Sequence, residues 1–359
     1  MERNGYKSSD TYQEILRQAT TWRETIKIMQ KQETDLLKLF NEWEPKEIVF
    51  SGSGTSYYLA ISASRIFQEI TGIPSKAIPS SEVFLDGNSC INSRANTLLI
   101  GISRSGDTSE TIYAGEYVKN QTENNANRFL AVTGYAGSDI DKASDYSIVL
   151  PQIAEKGIVM TGSFTSMLLS LQLLAGIVGG NKNFLKELFQ LPIIGEKVIE
   201  QAQKLGQEVA ADSRLTHFIY LGLGSFYGLA CEGMLKMKEM TQSFSEAFSS
   251  LEFRHGPISV LNESCSVILL SRKSSTRFEQ ELLEDIRSFG AHVIVIGDEL
   301  SNWEADWKFE LGSMISDQAR HVLYLPILQL LSFYRTIKLG LDPDHPRFLN
   351  HVVNVSDPN

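Results

Sequence analysis

The strongest constraint on the fold is a segment that occurs twice in the chain. Residues 48–60 read IVFSGSGTSYYLA and residues 218–230 read FIYLGLGSFYGLA, so that two glycines, a tyrosine, a leucine and an alanine coincide. A second motif, LLIGISRSGDT from Leu98, is echoed at nearly the same offset by VILLSRKSST, which ends at Thr276. Strand–glycine–helix junctions resemble one another in any α/β protein. Two motifs that repeat at nearly the same offset, however, predict a duplicated unit.

Within each copy, a short apolar run is followed by a stretch with helical spacing. KEIVFSGSG precedes TSYYLAISASRIFQEI, and NTLLIGISRSG precedes DTSETIYAGEYVKN. Alternating strands and helices predict a parallel sheet covered by helices on both faces. We therefore expect a helical lead-in over residues 1–45, one α/β domain over 46–190 and a second over 191–359.

Composition excludes several classes of partner. The net charge of −10 argues against nucleic acid and anionic membranes, which require a broad positive surface. No run of about 18 apolar residues occurs, and the polar N-terminus has no signal core, so neither a membrane span nor export is expected. The three cysteines are odd in number and widely spaced, which favours a reducing cytoplasm over a disulfide framework or a zinc site.

Two loops of the first half are candidates for binding a phosphate. In an open parallel sheet, ligands bind beyond the carboxyl ends of the strands, where helix N-termini present free N–H groups. Both loops combine glycine with hydroxyl groups, and Arg104 adds a positive charge. The alternative is that these residues form turns and caps, with Thr108 capping the next helix. The candidate residues are Ser53, Gly54, Thr55 and Ser56 in one loop and Ser103, Arg104, Ser105 and Thr108 in the other.

The second half has lost these donors, because Leu223 stands where Ser53 does and SRKSST lacks the loop glycine. One phosphate site, in the first half, is therefore predicted. The second half instead carries acid and base candidates. Glu232, Lys236 and Glu239 share one helix face, and SEAFSSLEFRHGPIS contains His255. A carboxylate and an imidazole can move protons at neutral pH. The alternative is an ion-paired helix face and a structural histidine.

The motifs together resemble the tandem SIS-domain proteins. The segments that carry the resemblance are SGSGTS, ISRSGDTSET, EKGIVMTGSFTSM, LKMKEMTQSFSEAFSSLEFRHGP and DPDHPRFLNHVV. The resemblance itself covers nearly everything from Glu47 onward. The family includes the isomerase half of glucosamine-fructose-6-phosphate aminotransferase, SIS-type glucosamine-6-phosphate deaminases, tagatose-6-phosphate ketose/aldose isomerases and fructosamine-6-phosphate deglycases. The resemblance implies two SIS domains, each a flavodoxin-like three-layer α/β/α sandwich with a mostly parallel sheet.

The resemblance also implies roles for individual residues. It assigns the sugar phosphate to the two hydroxyl-rich loops, proton transfer to Glu239 and ring opening to His255. Lys236 matches a lysine that the aminotransferase keeps near this glutamate, and Ile158 and His351 fall at positions that contact the sugar. In related enzymes the histidine reaches the site from the neighbouring subunit, so a homodimer is implied.

Three departures from the aminotransferase bear on the reaction. A glutaminase domain is not present in this sequence, so glutamine is not expected to supply nitrogen. His351 replaces the lysine that forms a Schiff base with the ketose, which argues against a covalent lysine route there. Met160 and Gly162 replace a serine and a lysine, so the end of the sugar away from the phosphate is expected to be contacted differently.

The function expected from these motifs is a cytoplasmic amino-sugar 6-phosphate deaminase and aldose–ketose isomerase that needs no metal or organic cofactor. The main alternative is a fructosamine-6-phosphate deglycase. A non-catalytic phosphosugar sensor would use the same loops, but such regulators usually add a basic helix-turn-helix. A nucleotide-dependent oxidoreductase could be argued from Gly222, Gly224 and Gly228, yet no acidic ribose ligand closes the following strand.

Overall fold

The computed structural model describes residues 5–92, 96–121 and 126–356. The first four residues of the predicted lead-in and the last three of the second predicted domain lie outside this part. The chain forms two compact units. The first sheet unit comprises Thr20–Glu155, Gly162–Phe189 and the chain from Asn350. The second sheet unit comprises the chain up to Ala19, Lys156–Thr161 and Gln190–Leu349.

The first sheet unit is built on a five-stranded parallel sheet of order β2-β1-β3-β4-β5. The central strand β3 is buried at every residue, as expected for a parallel strand covered on both faces. The strands are β1 (Glu47–Gly52), β2 (Ser75–Pro79), β3 (Thr97–Ser103), β4 (Arg128–Thr133) and β5 (Tyr146–Val149).

Helices cover both faces of this sheet, with α3 and α8 on one face and α4, α6 and α7 on the other. The apolar side chains of Val49, Leu99 and Phe129 pack with those of Ala114 and Val118 in one core. The helices are α3 (Thr55–Thr71), α4 (Ser80–Leu85), α5 (Gly87–Cys90), α6 (Ser109–Asn120), α7 (Asp139–Ala143), α8 (Gly162–Val178) and α9 (Lys182–Leu188). They are preceded by α1 (Asp10–Leu16) and α2 (Gln18–Trp43), so the predicted lead-in is helical.

The second sheet unit repeats this topology. Its parallel sheet has the order β7-β6-β8-β9-β10, which is the order of the first sheet in corresponding strands. Helices α10, α11 and α13 pack together on one face, and α12 packs on the other. The strands are β6 (His217–Gly222), β7 (Phe244–Phe248), β8 (Cys265–Leu270), β9 (His292–Gly297) and β10 (Trp307–Glu310), and the helices are α10 (Leu191–Ala211), α11 (Phe226–Thr241), α12 (Thr276–Ser288) and α13 (His321–Lys338).

The predicted fold class is confirmed, because each unit has helices on both faces of a parallel sheet with the flavodoxin-like strand order.

The repeated glycines explain why the chain makes the same turn after β1 and after β6. A Cβ on Gly52 would lie 2.6 Å from the Cβ of Ser56, and a Cβ on Gly222 would lie 2.4 Å from the carbonyl oxygen of Phe226. The next glycine of each pair, Gly54 or Gly224, has a positive φ. None of the helices in the described ranges is long and apolar enough to cross a membrane.

Candidate functional site

The two hydroxyl-rich loops lie at the same edge of the first sheet. β1 and β3 are neighbouring parallel strands, with Ser51 opposite Gly101, and each loop follows the carboxyl end of one of them. Thr55 and Ser56 are buried at the start of α3, whereas Gly54 is exposed. The structure therefore brings together the two segments that the sequence selects for phosphate binding, at the edge where parallel sheets bind ligands.

The second loop is ordered by its own hydroxyl groups. The hydroxyls of Ser103 and Thr108 are 3.0 Å apart, and the backbone N–H of Gly106 donates to Ser103 Oγ over 3.1 Å. Among the contacts of the described residues, the Thr108 side chain makes no capping hydrogen bond to helix α6. Thr108 does occupy the N-cap position of α6, as the alternative interpretation has it, but its hydroxyl bonds to Ser103 and not to the helix.

Arg104 is the buried charge of this loop. It is 8% exposed, and its Nη1 lies 3.4 Å from Glu155 Oε2 while its Nη2 lies 3.3 Å from His351 Nδ1. Glu155 has a side chain 1% exposed and also accepts hydrogen bonds from the backbone and hydroxyl of Ser163. Sequence reasoning did not select Glu155. Nothing in the motif EKGIVMTG marks it, because its partner lies 51 positions away.

A cleft of about 640 Å³ opens beside this loop in the first sheet unit. It is lined by Arg104 and Ser105, by the segment after β4 that includes Tyr135 and Lys142, and by His351 from the end of the chain. No residue of Ser53–Ser56 is among the residues that line it. The cleft thus lies on the β4 side of the SRSGDT loop.

In the second sheet unit, protein groups occupy the corresponding loop. The backbone N–H of Arg272 donates to Glu279 Oε2 over 3.2 Å, and its guanidinium donates to the carbonyl of Leu223 over 3.3 Å. A Cβ on Gly224 would lie 2.6 Å from Arg272 Nη1. Burial raises the pKa of Glu279 to about 7. These contacts favour the prediction of one phosphate site, because a carboxylate stands where an anion would bind.

Helix α11 brings the three predicted ionisable residues together. Lys236 Nζ lies 3.2 Å from Glu232 Oε1 and 2.5 Å from Glu239 Oε2. Lys236 and Glu232 are fully buried, whereas the Glu239 side chain is 19% exposed. Burial alone would lower the pKa of Lys236, but the two carboxylates outweigh it and raise that pKa. The amine is therefore charged. Of the two carboxylates, Glu239 is the one that solvent can reach.

His255 lies in an exposed segment of the same unit. It follows a 3₁₀ turn at Leu251–Arg254 and is itself exposed. Two charged residues of the same sequence segment form ion pairs within the protein. Arg254 pairs with Asp285 at 2.7 Å, and Glu246 pairs with His217 at 2.8 Å. His255 is thus accessible from the surface of this unit.

Ile158 lies on a loop that a buried carboxylate holds. Glu14, on α1, accepts the backbone N–H of Lys156 over 2.6 Å and that of Gly157 over 3.4 Å. A Cβ on Gly157 would lie 2.8 Å from Glu14 Oε2, so a larger residue at this position would displace the carboxylate. Ile158 is half-buried next to this anchor. Glu14 is a second residue that sequence reasoning missed.

A family model described as SIS domain matches residues 43–176 and 213–306 of this chain. The chain belongs to the SIS domain family. The duplicated SIS match agrees with the two sheets of the same strand order.

Curated relatives of this SIS protein include longer enzymes. The glutamine–fructose-6-phosphate aminotransferase of Methanothermobacter thermautotrophicus is 29% identical over 316 residues, which make up 87% of this chain and 52% of that protein. The chain spans about half the length of the curated relatives that it matches.

Two solved structures match the SIS chain over nearly its whole length. Glucosamine-6-phosphate deaminase of Thermotoga maritima is 30% identical, with a TM-score of 0.75, and the match covers 92% of this chain and 99% of that one. Tagatose-6-phosphate ketose/aldose isomerase of Escherichia coli has a TM-score of 0.85 over 95% and 98% of the two chains. Its identity of 22% supports the fold alone.

The SIS comparisons leave the roles of individual residues as predictions. Within the described parts of the chain, no group of three or more His, Cys, Asp or Glu side chains is placed to hold a metal ion. The expectation that no cofactor is needed remains a prediction.

Proposed function

We propose that this SIS protein is an amino-sugar 6-phosphate deaminase that works through an aldose–ketose isomerisation. The observation that carries the proposal is the trio on α11. Charged Lys236 contacts Glu239, and this carboxylate is partly open to solvent while its neighbour Glu232 is fully buried. The similarity to the Thermotoga maritima deaminase over 99% of its length supports the same class of substrate.

The proposed reaction begins when His255 moves a proton between the ring oxygen and the anomeric hydroxyl, which opens the sugar. Glu239 then removes the proton from C2, whose acidity comes from the neighbouring aldehyde, and returns a proton to C1. The product carries an imine at C2. Water adds to the imine and ammonia leaves, so that a ketose 6-phosphate remains.

The other predicted residues bind or orient the substrate. The loops that contain Ser56 and Ser103 supply hydroxyl and backbone donors to the phosphate at a helix N-terminus. Lys236 orients Glu239, because its amine donates a hydrogen bond to Glu239 Oε2 over 2.5 Å. We also propose that the protein is a cytoplasmic homodimer in which His255 of each subunit reaches the site of the neighbouring subunit.

A deglycase is the second candidate. If the nitrogen is on C1 of a ketose phosphate, the same residues would move a proton from C1 to C2 and so form an imine at C1. Water then adds to this imine, the amine leaves, and an aldose phosphate remains. Glu239, with a side chain 19% exposed, and the exposed His255 offer the base and the acid that this reaction also needs, so the same residues support this candidate.

The test is ammonia release from glucosamine 6-phosphate and galactosamine 6-phosphate, with fructoselysine 6-phosphate in parallel. Ammonia from an amino-sugar phosphate, lost in Glu239→Gln and retained in Glu263→Gln, would support the deaminase and identify the epimer. Glu263 is an exposed carboxylate of the same unit without an assigned role. Release of free lysine without ammonia would favour the deglycase. Tight phosphosugar binding without any product would favour a sensor.

A further inference from the structure

Arg104 is held between a buried carboxylate and a histidine. Glu155, with its side chain 1% exposed, approaches Nη1 at 3.4 Å, and His351 Nδ1 approaches Nη2 at 3.3 Å. Ser163 donates both its N–H and its hydroxyl to Glu155. The carboxylate is therefore fixed by bonds other than the ion pair, and it fixes the guanidinium in turn.

The contact with His351 determines where the imidazole carries its proton. A guanidinium has five N–H donors and no acceptor, so the nitrogen that faces it must accept. Nδ1 of His351 is then unprotonated, and the ring proton of the neutral imidazole is on Nε2. We propose that Arg104 is a positioning residue that holds His351 in this tautomer, and that His351 is the residue that donates a hydrogen bond, from Nε2–H, to an oxygen of the phosphosugar.

The charge balance around Arg104 supports this role. The guanidinium already faces a buried carboxylate, so part of its charge is matched within the protein. A phosphate would compete with Glu155 for the same donors. Arg104 therefore acts on the ligand through His351, in addition to any direct contact with the phosphate.

The location of His351 suits contact with a ligand. The residue is exposed and lines the cleft beside the SRSGDT loop, together with Arg104 and Ser105. A neutral N–H donor favours a hydroxyl or carbonyl oxygen and does not form a covalent imine with a ketose. The assignment of the ligand as a phosphosugar rests on the proposed function, whereas the tautomer of His351 does not.

The first experiment reads the tautomer directly and needs no substrate. The chain contains six histidines, and a ¹⁵N spectrum of histidine-labelled protein reports whether each ring nitrogen is protonated. The His351→Phe variant identifies the His351 signals. We expect unprotonated Nδ1 and protonated Nε2 in the wild type. A His351 signal with the proton on Nδ1, or on both nitrogens at pH 8, would overturn the proposal.

A variant then tests the part that Arg104 plays. Removal of the guanidinium alone would leave the buried carboxylate of Glu155 without its countercharge. The test therefore uses the double variant Arg104→Gln/Glu155→Gln, with Glu155→Gln alone as its control. We expect the fixed tautomer to give way to a mixture, while the other five histidine signals stay in place. An unchanged His351 signal would refute the positioning role. If the double variant does not fold, the wild-type spectrum still decides the tautomer.

A double-mutant cycle tests whether Arg104 acts on the substrate through His351. Loss of one hydrogen bond from His351 should lower kcat/KM for the amino-sugar phosphate about tenfold in His351→Phe. In the His351→Phe background, the Arg104→Gln/Glu155→Gln change should have a smaller effect than in the wild type, because part of its action passes through His351. Independent, multiplicative effects would contradict the proposal. If no tested substrate reacts, the proposed function fails and the tautomer result stands.

Discussion

Replacement of Lys236 with methionine removes the countercharge of two carboxylates on α11. The amine is fully buried and lies 3.2 Å from Glu232 and 2.5 Å from Glu239. Breaking a buried ion pair by removing one partner costs about 3–5 kcal/mol, because the remaining charge stays desolvated. Most of this cost should come from Glu232, which is fully buried, since the 19% exposure of Glu239 allows water to compensate.

Urea unfolding followed by tryptophan fluorescence measures this change. Trp303 is buried in the core of the second sheet unit and contributes to the signal. We expect Lys236→Met to lower the free energy of unfolding by about 3–5 kcal/mol at pH 8. The loss should shrink towards pH 5, because a buried carboxylate can be neutralised by a proton.

Two further variants make this prediction refutable. Lys236→Met combined with Glu232→Gln leaves no buried charge at position 232 and should recover most of the lost stability. Lys238→Met removes an exposed lysine of the same helix and should change the free energy of unfolding by at most about 0.5 kcal/mol. If Lys236→Met is no more destabilising than Lys238→Met, the trio is not the buried electrostatic unit described above.

Three other predictions concern the loops. The pKa of Glu279 is raised by burial from 4.5 to about 7, so the stability that depends on its protonation is fully present below pH 4.5 and lost as the pH rises through 7. Glu279→Gln should flatten this dependence and stabilise the protein by roughly 3 kcal/mol at pH 8, measured by unfolding. Gly52→Ala should abolish phosphosugar binding in calorimetry, because the new Cβ would lie 2.6 Å from Ser56 Cβ. Glu14→Ala should release the loop at Lys156 and raise KM more than it lowers kcat, whereas Glu14→Gln keeps an acceptor and should be milder.

Each of these predictions has a contradicting result. A wild-type stability that does not fall between pH 5 and 8, or a Glu279→Gln variant with the same slope, would refute the first. Unchanged affinity in Gly52→Ala would refute the second, with Gly5→Ala as the control because a Cβ there meets no atom within 4 Å. Equal effects of alanine and glutamine at position 14 would refute the third.

Local features of the sequence predicted the architecture well. The turn at Gly52 and its copy at Gly222 depend on a few consecutive residues, so the repeat could be read directly from the sequence. The grouping of Glu232, Lys236 and Glu239 likewise follows from the helical period. These features need no knowledge of long-range packing.

The surroundings of Arg104 could not be predicted in the same way. Its partners Glu155 and His351 are 51 and 247 positions away, and neither forms a local motif with it. The charge of Arg104 suggested an anion ligand, but the structure shows that packing supplies a carboxylate partner within the protein. For Thr108, the sequence offered either a phosphate ligand or a helix cap, and its contact with the hydroxyl of Ser103, five residues earlier, was not predicted.

The central claim is that Glu239 moves a proton on a phosphosugar, and solvent-deuterium incorporation tests it most directly. Amino-sugar 6-phosphates are incubated with the protein in D₂O, and the product is examined by NMR for deuterium at C1. We predict incorporation with the wild type and with Glu263→Gln, and none with Glu239→Gln. Incorporation that persists in Glu239→Gln, or no ketose 6-phosphate from the wild type despite bound phosphosugar, would contradict the account.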